Sequence, residues 1–316
     1  MNRVVKGLCL GVGSLALAAG YFIVRPPKMA PPKEIRVAMT PETVARGKYL
    51  YEVVADCDGC HGERNWGKQL APVVRSGAGF TFPAEMGLPG KVTAPNISSD
   101  PVAGIGAWSD GEKLRAIREG IGRDGRALFP MMPYQSYRQM SDRDAEALVA
   151  YLNTLPAAAD QHPRTEIDFP VSVLIKGAPA PVENPVPEPA DRGEYLVKMG
   201  GCADCHTPKD KGAPIAGKEL AGGEVFRVGK FTVVSANISP DVETGIGRMT
   251  EAAFIQRFHD YREYQQTPLP EATQRNFTIM PWLQFSRYSA EELGAIYRYL
   301  RKQKAIANPV KVHPES

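Results

Sequence analysis

Apolar residues recur at helical spacing in matched places along the chain. Thr40-Pro41-Glu42 reads as a capped helix start with Pro at the first helical position, and a short helix then runs toward Cys57. Ser141-Asp-Arg-Asp144 and Ser289-Ala-Glu-Glu292 read as Ser-x-x-acid capping boxes. Leu148, Val149 and Leu152 follow the first at helical spacing, as Leu293, Ile296 and Leu300 follow the second. Ser109-Asp-Gly-Glu112 opens a middle helix carrying Leu114 and Ile117, and Thr250 opens its counterpart. Few segments alternate with period two, so the pattern predicts small all-α units. One run differs: Gly7 to Val24 holds no charge and lies between Arg3/Lys6 and Arg25-Pro-Pro-Lys28. Its length approaches the ~20 residues that cross a hydrocarbon core, which predicts an uncleaved N-terminal membrane-anchor helix. The alternative is a signal cleaved near Ala16-Leu17-Ala18. Positive residues stay inside, so either reading exports the body of the chain, to the periplasm or the cell exterior, held there by one span or released.

The chain repeats itself. Ala45-Arg-Gly-Lys-Tyr-Leu50 matches Asp191-Arg-Gly-Glu-Tyr-Leu196, and Cys57-Asp-Gly-Cys-His61 matches Cys202-Ala-Asp-Cys-His206. Asn96-Ile-Ser matches Asn237-Ile-Ser, Gly104-Ile-Gly matches Gly245-Ile-Gly, and Met132-Pro-Tyr134 matches Met280-Pro-Trp282. The order is kept throughout, which is the signature of one domain used twice. Between the copies, eight prolines from Pro156 to Pro189 disfavour helix and predict an extended connector. Within it the apolar patch from Phe169 to Ile175 is expected to pack on a domain. The resulting division is an anchor or signal segment at 1–33, a first domain at 34–157, a connector at 158–189 and a second domain at 190–316. An apolar content of 43% allows a packed core in each half. The balance of 38 basic against 35 acidic residues, without clusters, argues against a nucleic-acid surface.

The chemistry sits in the two Cys-x-x-Cys-His motifs. A zinc site needs four ligands, usually two pairs that meet, and these pairs sit in equivalent places of separate copies. A redox dithiol needs no histidine and sits in a strand–helix context. Covalent haem attachment uses all three residues: two thiols add to the vinyl groups and the adjacent imidazole lands beneath the iron. Two copies imply two covalently bound haem c groups, held by Cys57 and Cys60 and by Cys202 and Cys205, with His61 and His206 as iron ligands. A sixth ligand in electron-transfer cytochromes is often Met, whose thioether raises the potential. The repeat selects Met132 and Met280; Met131 competes with Met132 but has Ile279 as its counterpart. Met86, Met140, Met199 and Met249 read as packing residues, and Cys9 as a small hydrophobe. Among His162, His259 and His313 only His259 is a candidate replacement ligand, and a surface role suits it better.

These motifs, with Gly122-Arg-Asp-Gly-Arg126 and Phe129-Pro-Met-Met-Pro-Tyr134, resemble a tandem di-haem class I cytochrome c, especially the membrane-bound cytochrome subunits of periplasmic alcohol, aldehyde or gluconate dehydrogenases. The resemblance spans about residues 40–155 and 190–302. It implies two all-α cytochrome c-type domains after the anchor helix. It also implies close helix crossings at Gly47 and Gly193. The implied function is single-electron relay from a dehydrogenase donor to a cytochrome or oxidase acceptor, without catalysis by the chain itself. A di-haem subunit of a haem–copper oxidase and a di-haem peroxidase are the alternatives. Two departures stand out. Those subunits commonly carry three haem domains where this chain has two, and the second copy replaces the Gly-Arg-Asp-Gly-Arg element with a longer polar stretch, Tyr261 to Phe277.

Overall fold

The computed structural model describes residues 20–21, 25–265 and 267–314. Thr40 caps α1 (Pro41–Tyr49), its hydroxyl accepting from the Thr43 N–H. The helix runs on into one π-helical turn, Leu50–Val54, whose Leu50, Tyr51, Val53 and Val54 are fully buried. Then come α2 (Asp58–His61), α3 (Asp110–Glu119), α4 (Tyr134–Tyr137) and α5 (Asp142–Leu152). After a short α6 (Val171–Leu174) in the connector, the order repeats as α7 (Arg192–Met199), α8 (Cys202–His206), α9 (Glu251–His259), α10 (Trp282–Phe285) and α11 (Ala290–Arg301). Reciprocal capping boxes form at α3 and α11, where Ser109 and Ser289 pair with Glu112 and Glu292. At α5, Ser141 accepts from the Asp144 N–H, but the Asp144 carboxylate is engaged elsewhere. In each half the first helix crosses the last in near contact. A Cβ on Gly47 would lie 1.8 Å from the Ala147 carbonyl oxygen, and one on Gly193 would lie 2.1 Å from that of Ala295. Only a residue without a side chain permits this approach.

The all-α expectation fails. The described residues are 32% helical with 10% strand, and they form five two-stranded antiparallel sheets. Most of these strands have two or three residues, too few for a period-two pattern to show in sequence. The exception is the hairpin of Val225–Val228 with Phe231–Val234, closed by Gly229 and Lys230. Its β-branched run around a two-residue turn is a readable hairpin signal. The anchor expectation gains nothing either. Among the described residues no helix is long and apolar enough to cross a membrane, and the run from Gly7 to Val24 lies outside them except for Gly20 and Tyr21.

The connector wraps the first half. Its strand Glu166–Ile167 pairs with Gly90–Lys91, and the Asp142 N–H donates to the Val186 carbonyl at 3.0 Å. The apolar patch is divided: Phe169 and Leu174 are 75% and 61% exposed, while Val171, Val173 and Ile175 are half-buried. The polar stretch of the second half reaches back to the first. The Gln69 N–H donates to the Pro270 carbonyl, the Ala272 N–H donates to the Gly67 carbonyl, and Lys68 pairs with Glu271.

One apolar core runs through both halves, from Leu50 and Leu148 to Leu196 and Leu300. Around it the halves exchange hydrogen bonds in a matched way. Arg46 donates to Asp144 at 2.8 and 2.7 Å, and Tyr195 of the other half donates to the same carboxylate at 2.8 Å. In the counterpart, Arg192 donates to Glu292 at 2.7 Å, and Tyr49 of the first half donates to that carboxylate too. Burial pushes the pKa of Asp144 up, but hydrogen bonding and charge from Arg46, with Tyr195 and Arg192, outweigh it and hold the group below its usual range.

A depressed folded-state pKa means that Asp144 contributes stability above the unfolded carboxylate value, about 4, and loses it as pH falls through the folded value. Asp144→Asn should therefore destabilise the chain by about 3 kcal/mol at neutral pH, and by progressively less as pH falls through the folded value and the wild-type carboxylate is itself protonated. Urea unfolding of both proteins across this range checks it; a deficit that stays constant with pH would refute the assignment.

Candidate haem-attachment sites

Each Cys-x-x-Cys-His motif folds as a single helical turn. Cys57 is the N-cap of α2 and Cys202 the first residue of α8, so both thiols and the following histidine lie within one short helix in each half. All four cysteines are free. Burial pushes the thiols up: Cys57 well above its ordinary value, Cys60 and Cys202 to about 12, and Cys205 to about 11. A redox dithiol needs a depressed thiol pKa, so this environment does not suit exchange chemistry. Among the described residues no group of three or more His, Cys, Asp or Glu is placed to hold a metal ion, which argues against a zinc cluster.

The histidines are held alike. His61 Nδ1 lies 2.8 Å from the Pro95 carbonyl and His206 Nδ1 lies 2.7 Å from that of Ala236. A carbonyl only accepts, so Nδ1 carries the proton and Nε2 keeps its lone pair free for a metal. Burial pulls both imidazoles below their ordinary pKa, with the carbonyl bond opposing, which favours the neutral ligating form. These carbonyls are fixed by the Asn-Ile-Ser segments next to them. Asn96 donates to the Ala158 and Asp160 carbonyls at 2.6 and 3.1 Å and accepts from the Ser98 N–H. Asn237 donates to the Ile306 carbonyl at 2.8 Å and accepts from the Ser239 N–H. Sequence reading found these segments as repeats but not as the mounts of the histidines. The Gly-Ile-Gly segments close the same loops: Ile105 and Ile246 donate backbone bonds to the carbonyls of Ser98 and Ser239.

Met132 and Met280, like Cys57 and Cys202, are half-buried and pack against the shared core, and each methionine is followed by a proline that opens α4 or α10. Met140 and Met199 are almost fully buried core residues. His259 Nε2 is engaged by Arg262 and lies 3.1 Å from the Tyr288 carbonyl, a structural position. The two attachment segments adjoin across the interface. The Tyr288 hydroxyl donates to the Val54 carbonyl at 3.4 Å, and a Cβ on Gly200 would lie 3.4 Å from that same oxygen. A charge on Cys205 would raise the pKa of Cys60.

Each of the two duplicated units thus presents free paired thiols and a carbonyl-locked imidazole on one short helix. The chain belongs to the cytochrome c family, whose model matches it twice, at residues 44–156 and 190–304. It is 28% identical over 282 residues to the fructose dehydrogenase cytochrome subunit of Gluconobacter japonicus, covering 84% of this chain and 53% of that one. It is 29% identical over 279 residues to the gluconate 2-dehydrogenase cytochrome c subunit of Pantoea cypripedii, covering 82% and 59%. It is 31% identical over 220 residues to a diheme cytochrome c-type protein of Cereibacter sphaeroides, covering 66% and 71%. The chain thus spans about half the length of the dehydrogenase cytochrome subunits it matches. Membership in the family implies covalently bound haem c. The residues present fit that group, since free thiols stand beside an imidazole with its Nε2 available.

Asn96→Ala would orphan the buried groups it serves, at about 1–3 kcal/mol each, and release the Pro95 carbonyl from its place under His61. The expected outcome is a lower thermal midpoint together with altered imidazole nitrogen shifts of His61 by NMR, those of His206 staying unchanged.

Proposed function

We propose that the chain carries two haem c groups and relays single electrons from a dehydrogenase, on the periplasmic side, to a respiratory cytochrome or oxidase. The observation that carries this reading is the duplicated motif helix whose histidine Nδ1 is tied to a loop carbonyl, at 2.8 Å in one half and 2.7 Å in the other. When bound, haem supplies an iron that takes up and gives back one electron. Cys57 and Cys60 hold the first by thioether bonds, and Cys202 and Cys205 the second. His61 and His206 would offer Nε2 to the iron, and Met132 and Met280, on loops stiffened by Pro133 and Pro281, would offer a thioether. An iron ligated by these side chains would exchange electrons and leave chemistry on an organic substrate to a partner. The dehydrogenase donor is supported by the relatives, which are named as cytochrome subunits of fructose, alcohol and gluconate dehydrogenases. That support favours this reading over an oxidase subunit or a peroxidase.

Met132→Ala and Met280→Ala should each leave one haem at lower potential and open to carbon monoxide in the reduced state, whereas Met131→Ala should change neither property. Potentiometric optical titration with haem quantified per chain, followed by carbon monoxide addition, tests this. Carbon monoxide binding by Met131→Ala alone would refute the ligand assignment.

A further inference from the structure

Asp56 is an anomaly beside the first attachment motif. It stands one residue before Cys57 with a left-handed backbone, φ 39°. Its counterpart before Cys202 is Gly201, at φ 63°, the residue suited to that conformation. A non-glycine residue held there carries backbone strain, and such strain gathers at functional positions. The side chain is 11% exposed, and its Oδ1 is buried with no hydrogen-bond partner. Its nearest cation, Arg64, brings Nη1 only to 3.9 Å of Oδ2, while its Nε and Nη2 bond the carbonyls of Ala71 and Leu70. Asp58, two residues on, shows what a settled carboxylate looks like here: it accepts from Tyr51, Ser76 and the Gly77 N–H at 2.7 to 2.8 Å.

The groups facing Asp56 are few. From its own segment come Asp58, Cys57 and Cys60; Arg64 faces it from the following strand; Tyr137 of α4, whose hydroxyl donates to the Ala55 carbonyl, feels its charge. From the other half, Tyr288 bonds the Val54 carbonyl just upstream, and Asp204 also acts on Tyr137. Burial pushes the Asp56 carboxyl up to about 7, with Arg64 opposing and Asp58 adding to it. The second half has a carboxylate in the matching neighbourhood: a Cβ on Gly201 would meet Asp204 at 3.2 Å, as one on Gly59 would meet Asp56 at 2.6 Å. Burial pushes the Asp204 carboxyl up as well, with Lys209 opposing, but the residue is exposed and its backbone is helical, so it has neither the enclosure nor the strained conformation of Asp56.

We propose that Asp56 is a proton-binding site coupled to the electron on the first haem. The inference rests on the relay reading above. As one electron enters the first centre, Asp56 takes one proton from solvent and an O–H bond forms; as the electron leaves, that bond breaks and the proton returns. The sign follows from charge, since the ferric centre is one unit more positive than the ferrous and favours the carboxylate. Reduction therefore raises the proton affinity of Asp56. Between its two proton affinities the first midpoint falls as pH rises, each pH unit changing the oxidised-to-reduced ratio at fixed potential by up to about tenfold.

The test is potentiometric titration of the purified full chain across neutral pH, for wild type, Asp56→Gly, Asp56→Asn and Asp204→Asn. Asp56→Gly installs the residue the second half already uses, which relieves the strained backbone while removing the acid. The expected result is one pH-dependent midpoint in wild type and in Asp204→Asn, and none in either Asp56 variant. Infrared redox-difference spectra should show a protonated carboxyl band in reduced wild type that Asp56→Asn lacks. Two intact haem spectra with a slope that is absent from wild type, or that survives in both Asp56 variants, overturn the proposal and leave the relay standing. A chain without covalent haem overturns both.

Discussion

Two carboxylates at helix starts hold the molecule in one piece. Asp144 and Glu292 each take an arginine from their own half and a tyrosine from the other. Within a half, the arginine fastens the first helix to the last, the same crossing that Gly47 and Gly193 make close. Between halves, the tyrosine makes that local joint part of a shared one. A carboxylate only 2% exposed would be costly alone; with three donors it is satisfied, and the geometry admits few alternatives. The shared core then lies inside a frame whose polar corners match, so the two motif helices sit on fixed supports and not on independently tumbling domains.

That fixity bears on electron transfer. Mounts that are already satisfied by hydrogen bonds need not rearrange when charge arrives. Here the histidine is set by a loop carbonyl, the loop by a buried asparagine, and the asparagine by backbone from the connector or the C-terminal segment. Each layer orients the one inside it, in the way outer-shell partners orient metal ligands generally. High thiol pKa values belong to the same picture, because the burial that raises them also suppresses exchange chemistry at the motif helices.

Much of this was readable before any coordinates. The duplicated motifs and the capped helices depend on short local patterns or on matched copies, and both survive in sequence; the crossing glycines were implied by the family resemblance. What was hidden depends on contacts between distant residues. Tyr49 and Tyr195 look like ordinary helix residues until the other half is placed against them. The small sheets escaped because two-residue strands have no period, and the longer hairpin escaped although Val225 to Val234 carried a usable signal. The conformation of Asp56 was invisible because backbone sign is not written in residue type, although glycine at the matched position was a hint.

The two halves differ most where they must join. The polar stretch that replaces the Gly-Arg-Asp-Gly-Arg element in the second half bonds the Gly67 to Gln69 loop of the first. The connector in turn covers the first half alone, through Asn96, Arg75 and the Glu166–Ile167 strand. A duplicated domain with two identical faces could pair with other copies of itself as readily as within one chain. Contacts that exist once, on one half only, remove that ambiguity. They also give the two motif helices different surroundings, and were both to carry haem as proposed, unequal surroundings would let two chemically identical groups have different potentials.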